Sequence, residues 1–167
     1  MPSSHRRPLR QPARHVRRGG LTLAELLVTL AVLGIVAGIG AMLFIPMWRR
    51  HQGESFVQTL VQNINTSRSR TMSTGTPNRV VLLTESAYRV DTRAGTTWAA
   101  GTPIVSANVR LGGFTSGDYL QFDTKGFVTS HTSGGVTRST PISSITATFA
   151  GKTRTVRVTL IGLAREF

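Results

Sequence analysis

The chain contains no cysteine, and this absence excludes several kinds of site. Without thiols the protein has no disulfide bond, no cysteine nucleophile and no cysteine-ligated metal ion. Acidic residues are also scarce: 7 aspartates and glutamates stand against 20 lysines and arginines, giving a formal net charge of +13. The sequence has no glycine-rich phosphate loop and no cluster of metal ligands. These absences leave little material for catalysis.

Histidine is also rare, and only His51 and His131 lie outside the first 20 residues. Neither has an acid or a nucleophile nearby in the sequence that would make it a general base. Asp118 and Asp123 flank a short apolar segment, and we predict that they are turn residues rather than an acid–base pair. We therefore expect a protein that is not an enzyme and that has no cofactor, no metal and no catalytic residue.

What the sequence does contain is a basic N-terminal segment followed by a long uncharged run. Residues 1–20 hold six arginines and no acid, and residues 26–48 hold no charged side chain. A run of this length can cross a bilayer as a helix. Glu25 lies at the start of the run, where a carboxylate is costly enough to indicate a function. The alternative is that the Glu25 side chain simply extends to the headgroup region.

Two ordinary export signals explain this N-terminus poorly. A cleaved secretory signal peptide has an apolar core of about 7–15 residues before a small-residue cleavage site. The run seen here is longer and has no such site after it. A plain signal anchor, held by arginines on the cytoplasmic side, explains the orientation. It does not explain a glycine pair, Gly19-Gly20, that is followed five residues later by Glu25.

The segment Gly19-Gly20-Leu21-Thr22-Leu23-Ala24-Glu25 resembles the class III signal of type IV prepilins and type II secretion prepseudopilins. The resemblance implies that a prepilin peptidase cleaves between Gly20 and Leu21 and methylates the new N-terminus of Leu21. Glu25 then becomes the fifth residue of the mature chain, where it neutralises the Leu21 amine of a neighbouring subunit. Two departures are Leu21, where phenylalanine is more frequent, and Ala24, where a larger aliphatic residue is common.

The resemblance divides the chain into four segments. These are a removable leader (1–20), a membrane-spanning assembly helix (21–48), an amphipathic continuation of that helix (49–76) and a β-rich head (77–167). Removing the leader would lower the net charge from +13 to +7, because 14 basic and 7 acidic residues remain. The head would lie outside the cytoplasmic (inner) membrane and the N-terminus inside, and assembly would produce a periplasmic or extracellular filament. The implied partners are the prepilin peptidase, other pilin or pseudopilin subunits and the inner-membrane assembly platform.

Residue periodicity predicts the remaining elements. Phe56, Leu60 and Ile64 recur at four-residue spacing, which favours a helix that continues from about residue 22 to residue 73. In the last predicted strand, Val156, Val158 and Leu160 should share one face. Ala94–Gly101 and Ser130–Arg138 are expected to be exposed loops. Alternation and turn residues predict strands at Asn78–Thr84, Ala87–Thr92, Pro103–Leu111, Tyr119–Asp123, Phe127–Ser130, Ile142–Phe149 and Thr153–Ile161.

The predicted fold class is α+β and pilin-like, with a long N-terminal membrane-spanning helix packed on an antiparallel β-sheet head. Within that class the head is similar to the H-type minor pseudopilins and the FimT minor pilins. Four segments carry this similarity: Ser67-Arg68-Ser69-Arg70, Asn78-Arg79-Val80-Val81-Leu82, Leu120-Gln121-Phe122-Asp123-x-x-Gly126-Phe127-Val128, and a long hairpin closing at Ile161-Gly162. The similarity implies a pair of antiparallel sheets packed against the end of the helix.

The similarity leaves two functions open. One is a structural role as a minor pseudopilin in a type II secretion pseudopilus, which exports proteins. The other is DNA uptake by a minor type IV pilin, where FimT proteins carry a C-terminal Gly-Arg-x-Arg motif. Here Gly162-Leu163-Ala164-Arg165 has leucine at the first arginine position. Lys152, Arg154, Arg157 and Arg165 are candidate phosphate contacts, but scattered arginines also keep sheet edges soluble, so the structural role is favoured.

Overall fold

A computed structural model describes residues 22–167. Gly20 and Leu21, the predicted cleavage and methylation positions, lie outside the described residues. By its internal contacts the chain divides into two compact units, one ending at Ala41 and the other comprising Met42–Phe167. The second unit contains the folded head.

A single long helix, α1 (Leu23–Thr74), precedes all the strands. It ends at Thr74, and the next residue, Gly75, has a φ of 68°, the left-handed conformation that stops helices. The Gly75 N–H donates to the Thr71 carbonyl at 3.0 Å. In the second half of α1, buried residues recur every three or four positions, as expected for one face packed on a core. They are Gly53, Phe56, Val57, Leu60, Ile64, Ser67 and Thr71.

Ten strands follow the helix and form two antiparallel sheets. The six-stranded sheet has the order β3-β2-β1-β6-β7, with β4 also paired to β2, and the four-stranded sheet has the order β10-β9-β8-β5. The strands are β1 (Asn78–Thr84), β2 (Ala87–Ala94), β3 (Thr97–Ala99), β4 (Ile104–Val105), β5 (Arg110–Gly112), β6 (Tyr119–Phe122), β7 (Val128–His131), β8 (Ser144–Phe149), β9 (Lys152–Val158) and β10 (Ala164–Glu166).

The hydrophobic core lies where the buried stripe of α1 meets both sheets. Alternate residues of each central strand point inward, as the period of two in a strand requires. Val80 and Leu82 of β1 and Ile145 of β8 are fully buried, and all join one cluster with Leu60 of α1. The predicted α+β, pilin-like fold class is therefore confirmed, including its hairpins β1–β2 and β8–β9.

The predicted strand Pro103–Leu111 is wrong as a single element. Its first part is β4, which pairs with β2 in the six-stranded sheet, whereas its end enters β5, which pairs with β8 in the four-stranded sheet. Residues 106–109 carry the chain from one sheet to the other. Because each half is short and the second closely follows the first, the local pattern resembles one continuous strand.

Several other boundaries also differ from prediction, most of them by one or two residues. The expected loop Ala94–Gly101 contains β3, which pairs with β2. The expected loop Ser130–Arg138 begins within β7 and includes a bridge between His131 and Thr137. The last predicted strand ends at Val158 rather than Ile161, so Leu160 is 68% exposed instead of sharing the buried face of Val156. The chain then turns at Gly162 and returns as β10, which was not predicted.

Arg68 joins three of the segments on which the head similarity depends. Its Nε donates to the carbonyl of Gly126 at 3.1 Å and to that of Ile161 at 2.6 Å. Gly126 and Gly162 both have positive φ, and a Cβ at Gly162 would lie 2.7 Å from the Gly126 carbonyl oxygen. The end of α1, the β6–β7 turn and the turn after β9 are therefore held together at one point.

Candidate functional site

The N-terminus of α1 is capped by two residues of the described chain. The Glu25 N–H donates to Thr22 Oγ1 at 3.2 Å, and the Thr22 N–H donates to Glu25 Oε2 at 3.4 Å. This reciprocal arrangement is a capping box, which satisfies backbone donors that have no partner within the helix. Glu25 was predicted as an assembly charge, and that role stays a prediction. The spacing Thr22-x-x-Glu25 is thus a capping signal in addition to the predicted assembly charge.

The first part of α1 is apolar and almost entirely uncovered. From Leu26 to Trp48 its large hydrophobic side chains are 50–79% exposed. By length and composition the helix is able to cross a membrane. Near the end of the run, the Phe44 and Trp48 rings stack with centroids 6.0 Å apart. Such an apolar surface needs a cover of lipid or of other apolar helices.

The four predicted phosphate contacts of the head fall in two different places. Arg157 and Arg165 are directly opposite each other in β9 and β10, and both are exposed. The Arg157 guanidinium carbon lies 5.1 Å from the centroid of the Phe167 ring. Arg154 is turned to the other face of β9, where its Nε lies 3.4 Å from Glu166 Oε1. Lys152 is exposed at the start of β9, so the four cations do not form one surface.

Sequence reasoning missed a buried ionic network on the six-stranded sheet. Asp91 is fully buried and accepts a hydrogen bond at 3.0 Å from Arg79 Nε, while Arg79 Nη2 lies 2.9 Å away. Arg89 Nε lies 2.9 Å from the other carboxylate oxygen as an ion pair. The Gly101 N–H donates to that same oxygen at 3.2 Å. The one signal in the sequence was an acid, Asp91, inside the predicted strand Ala87–Thr92.

Arg79 also stacks between two aromatic rings. Its guanidinium carbon lies 4.4 Å from the Trp98 ring centroid and 4.8 Å from that of Tyr119. Tyr119 in turn stacks on His131, with centroids 4.9 Å apart and rings 14° from parallel. The His131 ring nitrogens lie 3.0 Å from Thr129 Oγ1 and 3.4 Å from Thr137 Oγ1. These contacts give His131 a packing role.

The two aspartates singled out from the sequence are turn residues, as predicted. Asp118 accepts the Thr115 N–H at 2.8 Å and pairs with Arg138. Asp123 accepts the backbone N–H of Phe127 at 2.7 Å, across the β6–β7 turn. Within residues 22–167 there is no group of three or more histidine, aspartate or glutamate residues placed to hold a metal ion. That the protein is not an enzyme stays a prediction.

Among known families, the one described as a prokaryotic N-terminal methylation motif matches residues 16–41. This motif is the signal of type IV pilins and pseudopilins, so the N-terminal part of the chain carries the pilin-type sequence. No curated protein and no solved structure matches the chain. The prediction of a pilin-type signal at the N-terminus is thus confirmed.

Proposed function

We propose that this protein is a minor pseudopilin, a structural subunit of a type II secretion pseudopilus that takes part in protein export. The observation that carries the proposal is the uncovered apolar half of α1, most of which lies within a pilin-type methylation motif (residues 16–41) and which precedes a folded head. Its apolar surface is too large to remain in water. Lipid covers it before assembly, and the helices of neighbouring subunits cover it in the filament.

Maturation begins at the N-terminus. A prepilin peptidase cleaves between Gly20 and Leu21, which removes six arginines, and methylates Leu21. Those arginines first hold the N-terminus on the cytoplasmic side of the membrane. After cleavage the helix keeps one amine and, four residues later, the Glu25 carboxylate.

Assembly then pairs those two charges between subunits. A charge buried among apolar helices is tolerated when an opposite charge neutralises it and is costly when it is alone. Glu25 of one subunit therefore meets the Leu21 amine of its neighbour, which fixes the register between the two helices. The inner-membrane assembly platform extracts the subunit, and the head becomes part of a filament outside the membrane.

Cleavage is tested by Gly20→Ala in the full chain, expressed together with a prepilin peptidase. The expected product is an uncleaved, membrane-bound precursor, measured by intact-mass spectrometry. Gly19→Ala is the matched control. This variant should still be cleaved between Gly20 and Leu21, and its new N-terminus should then be methylated. Cleavage of the Gly20→Ala variant at Leu21 would contradict the assignment.

A second function, DNA uptake as a minor type IV pilin of the FimT kind, is favoured by one observation. Arg157 and Arg165 face each other across β9 and β10, although like charges directly opposite each other destabilise a sheet. A bound phosphate chain would relieve that repulsion. The test is a titration of the full processed chain with duplex DNA at several salt concentrations. Salt-sensitive binding that is lost in Arg157→Gln/Arg165→Gln supports this function, and no binding at low salt contradicts it.

A further inference from the structure

Two loops of the head lie beside the part of α1 that directly follows the apolar run. A Cβ built on Gly53 would lie 2.4 Å from Phe149, so the β8–β9 turn at Ala150 and Gly151 is next to this part of the helix. Gly53 is five residues beyond Trp48, which is about 8 Å along the helix axis. The start of β9 is therefore close to the level at which the apolar run ends.

The second loop is the crossing between the two sheets. Asn108 Nδ2 donates to Gln52 Oε1 at 2.7 Å. Asn108 also lines a groove of about 530 Å³ together with Trp48 and Arg49. Ala107, next to Asn108, is exposed. This crossing loop thus reaches the last turn of the apolar run.

Four cations lie at this end of the head: Arg49 and Arg50 from α1, and Lys152 and Arg154 from β9. We call them the basic collar. Arg50 Nε lies 3.0 Å from Glu54 Oε1. The pKa of Glu54 is lowered, mainly by its hydrogen bond to Arg50. Burial opposes this shift, and the charges of Arg50, Arg154 and Lys152 each add a smaller lowering effect.

The collar carries more positive than negative charge. Its four cations face two carboxylates, Glu54 at 3.0 Å from Arg50 and Glu166 at 3.4 Å from Arg154. Arg49 and Lys152 are exposed. Because Met42, Leu43 and Trp48, immediately before the collar, are at least half exposed and apolar, the surplus charge lies where an inserted helix leaves the hydrocarbon.

Bilayer dimensions place the collar in the headgroup layer. The headgroups add about 5–7 Å to each side of a hydrocarbon core about 30 Å thick. With Trp48 at the interface, Arg49 and Arg50 lie at headgroup height, and Gly53 lies at the outer edge of that layer. Anionic headgroups attract each nearby lysine or arginine, and the attraction falls off within a Debye length.

We propose that the basic collar binds the phosphates of anionic phospholipids on the outer side of the membrane, so that the head rests against the bilayer before assembly. This inference rests on the proposed function, because it requires α1 to be inserted in lipid. It assigns Lys152 and Arg154, considered above as DNA contacts, to the membrane surface. Extraction of the subunit then has to break these headgroup contacts as well as withdraw the helix.

Because the chain has no cysteine of its own, a single introduced cysteine can carry a fluorophore. The test uses such single-cysteine variants, cleaved before Leu21 and placed in lipid nanodiscs. Ala107→Cys reports on the crossing loop. Thr124→Cys reports on the β6–β7 turn, whose Gly126 packs against Met72 near the other end of the head. Leu43→Cys reports on insertion. Nitroxides on lipid headgroups quench the first two probes on contact, and nitroxides on acyl chains quench the third.

We expect quenching at Ala107 but not at Thr124 in nanodiscs that contain phosphatidylglycerol, and weaker quenching at Ala107 in phosphatidylcholine alone. Lys152→Gln/Arg154→Gln should shift the equilibrium towards the undocked head by about fivefold for each charge removed. Arg157→Gln/Arg165→Gln removes the same charge elsewhere on the sheet and should change nothing.

Two results would overturn the inference, and they are distinguishable. If Leu43 is quenched but Ala107 is no more quenched than Thr124, or is equally quenched in both lipids, the helix is inserted and the collar does not bind anionic headgroups. If Leu43 itself is not quenched, the membrane insertion in the proposed function fails, and the docking fails with it.

Discussion

Thr22 and Glu25 cap each other: the Glu25 N–H donates to the Thr22 hydroxyl at 3.2 Å, and the Thr22 N–H donates to the Glu25 carboxylate at 3.4 Å. Glu25 therefore has two separable properties, an accepting oxygen that stabilises the helix end and a negative charge. Only the second is needed to neutralise a neighbouring amine. Glutamine is also accepted at this position of a capping box, so the two properties can be tested apart.

Glu25→Gln should be processed normally and should enter filaments poorly. In the proposed assembly, the variant keeps the cap but leaves the neighbour's Leu21 amine without an opposite charge among apolar helices. Because an unpaired buried charge costs about 3–5 kcal/mol, incorporation should fall on the order of a hundredfold or more. The measurement is the amount of variant recovered in sheared filaments relative to the membrane pool.

Thr22→Ala is the matched control, since it removes the capping hydroxyl and keeps the charge. Loss of such a cap costs about 1 kcal/mol, so incorporation should stay close to that of the wild type. If Thr22→Ala is as defective as Glu25→Gln, the cap rather than the charge is what assembly needs.

Gly53→Ala should destabilise the head even though alanine is the better helix former. The new methyl group would lie 2.4 Å from Phe149 Cγ and 2.8 Å from its Cβ. Overpacking of this kind costs about 1–3 kcal/mol, which outweighs a gain in helix propensity of up to about 1 kcal/mol. Urea unfolding of the detergent-solubilised chain, followed by tryptophan fluorescence, measures the change in the free energy of unfolding.

The control for Gly53 is a double-mutant cycle with Phe149→Ala. Alanine at this position removes Cγ and the ring and so makes room for the methyl group, and the two substitutions together should cost less than the sum of their separate effects. Strict additivity would show that the close approach of Gly53 to Phe149 does not limit stability.

Local patterns in the sequence predicted the helix and its buried stripe, and both clear hairpins. The four-residue spacing of Phe56, Leu60 and Ile64 predicts by itself that they share one helix face, and all three are buried in α1. Sheet membership is different, because β4 and β5 lie five residues apart and join separate sheets. That division depends on which distant strand each half meets, and a short window of sequence does not contain this information.

The candidate sites also depend on contacts between distant strands, which a short window of sequence does not contain. The Arg154–Glu166 pair forms only because β10 returns beside β9. A strand of three residues after a glycine turn is too short to be predicted from its sequence pattern. The burial of Asp91 depends on Arg79, which is opposite it in the register of β1 and β2. The capping box at Thr22 and Glu25, by contrast, was readable from the spacing of those two residues.

Asp91→Asn should strongly destabilise the head. Asp91 is fully buried and compensates Arg79 and Arg89, each with a nitrogen 2.9 Å from its carboxylate. Removing one partner of a buried ion pair costs about 3–5 kcal/mol. The measurement is the same urea unfolding.

Glu85→Gln is the control for Asp91, because it also neutralises an acid that pairs with an arginine. The Glu85–Arg110 pair is exposed and 3.9 Å long, so this change should alter the free energy of unfolding by less than about 1 kcal/mol. Equal effects at Asp91 and Glu85 would mean that the buried network adds nothing specific to stability.

Tyr88 should make the head sensitive to alkaline pH. Its hydroxyl is buried and accepts a hydrogen bond from Asn63 Nδ2 at 3.0 Å. Burial raises the pKa of Tyr88 to about 12 from a usual value of 10.0, although the hydrogen bond from Asn63 opposes that shift. Between these two values the unfolded chain releases a proton that the folded chain retains. The contribution of Tyr88 to stability is therefore complete below pH 10 and is lost as pH rises towards 12, with a slope of at most about 1.4 kcal/mol per pH unit.

Tyr88→Phe isolates this effect from other alkaline titrations. The variant loses the hydrogen bond with Asn63, which costs about 1 kcal/mol at neutral pH. Phenylalanine has no proton to release, so the unfolding free energy of the variant should fall less steeply than that of the wild type between pH 10 and 12. The two curves of unfolding free energy against pH should therefore converge. Parallel curves across this range would show that the Tyr88 hydroxyl ionises equally readily in the folded and unfolded chains.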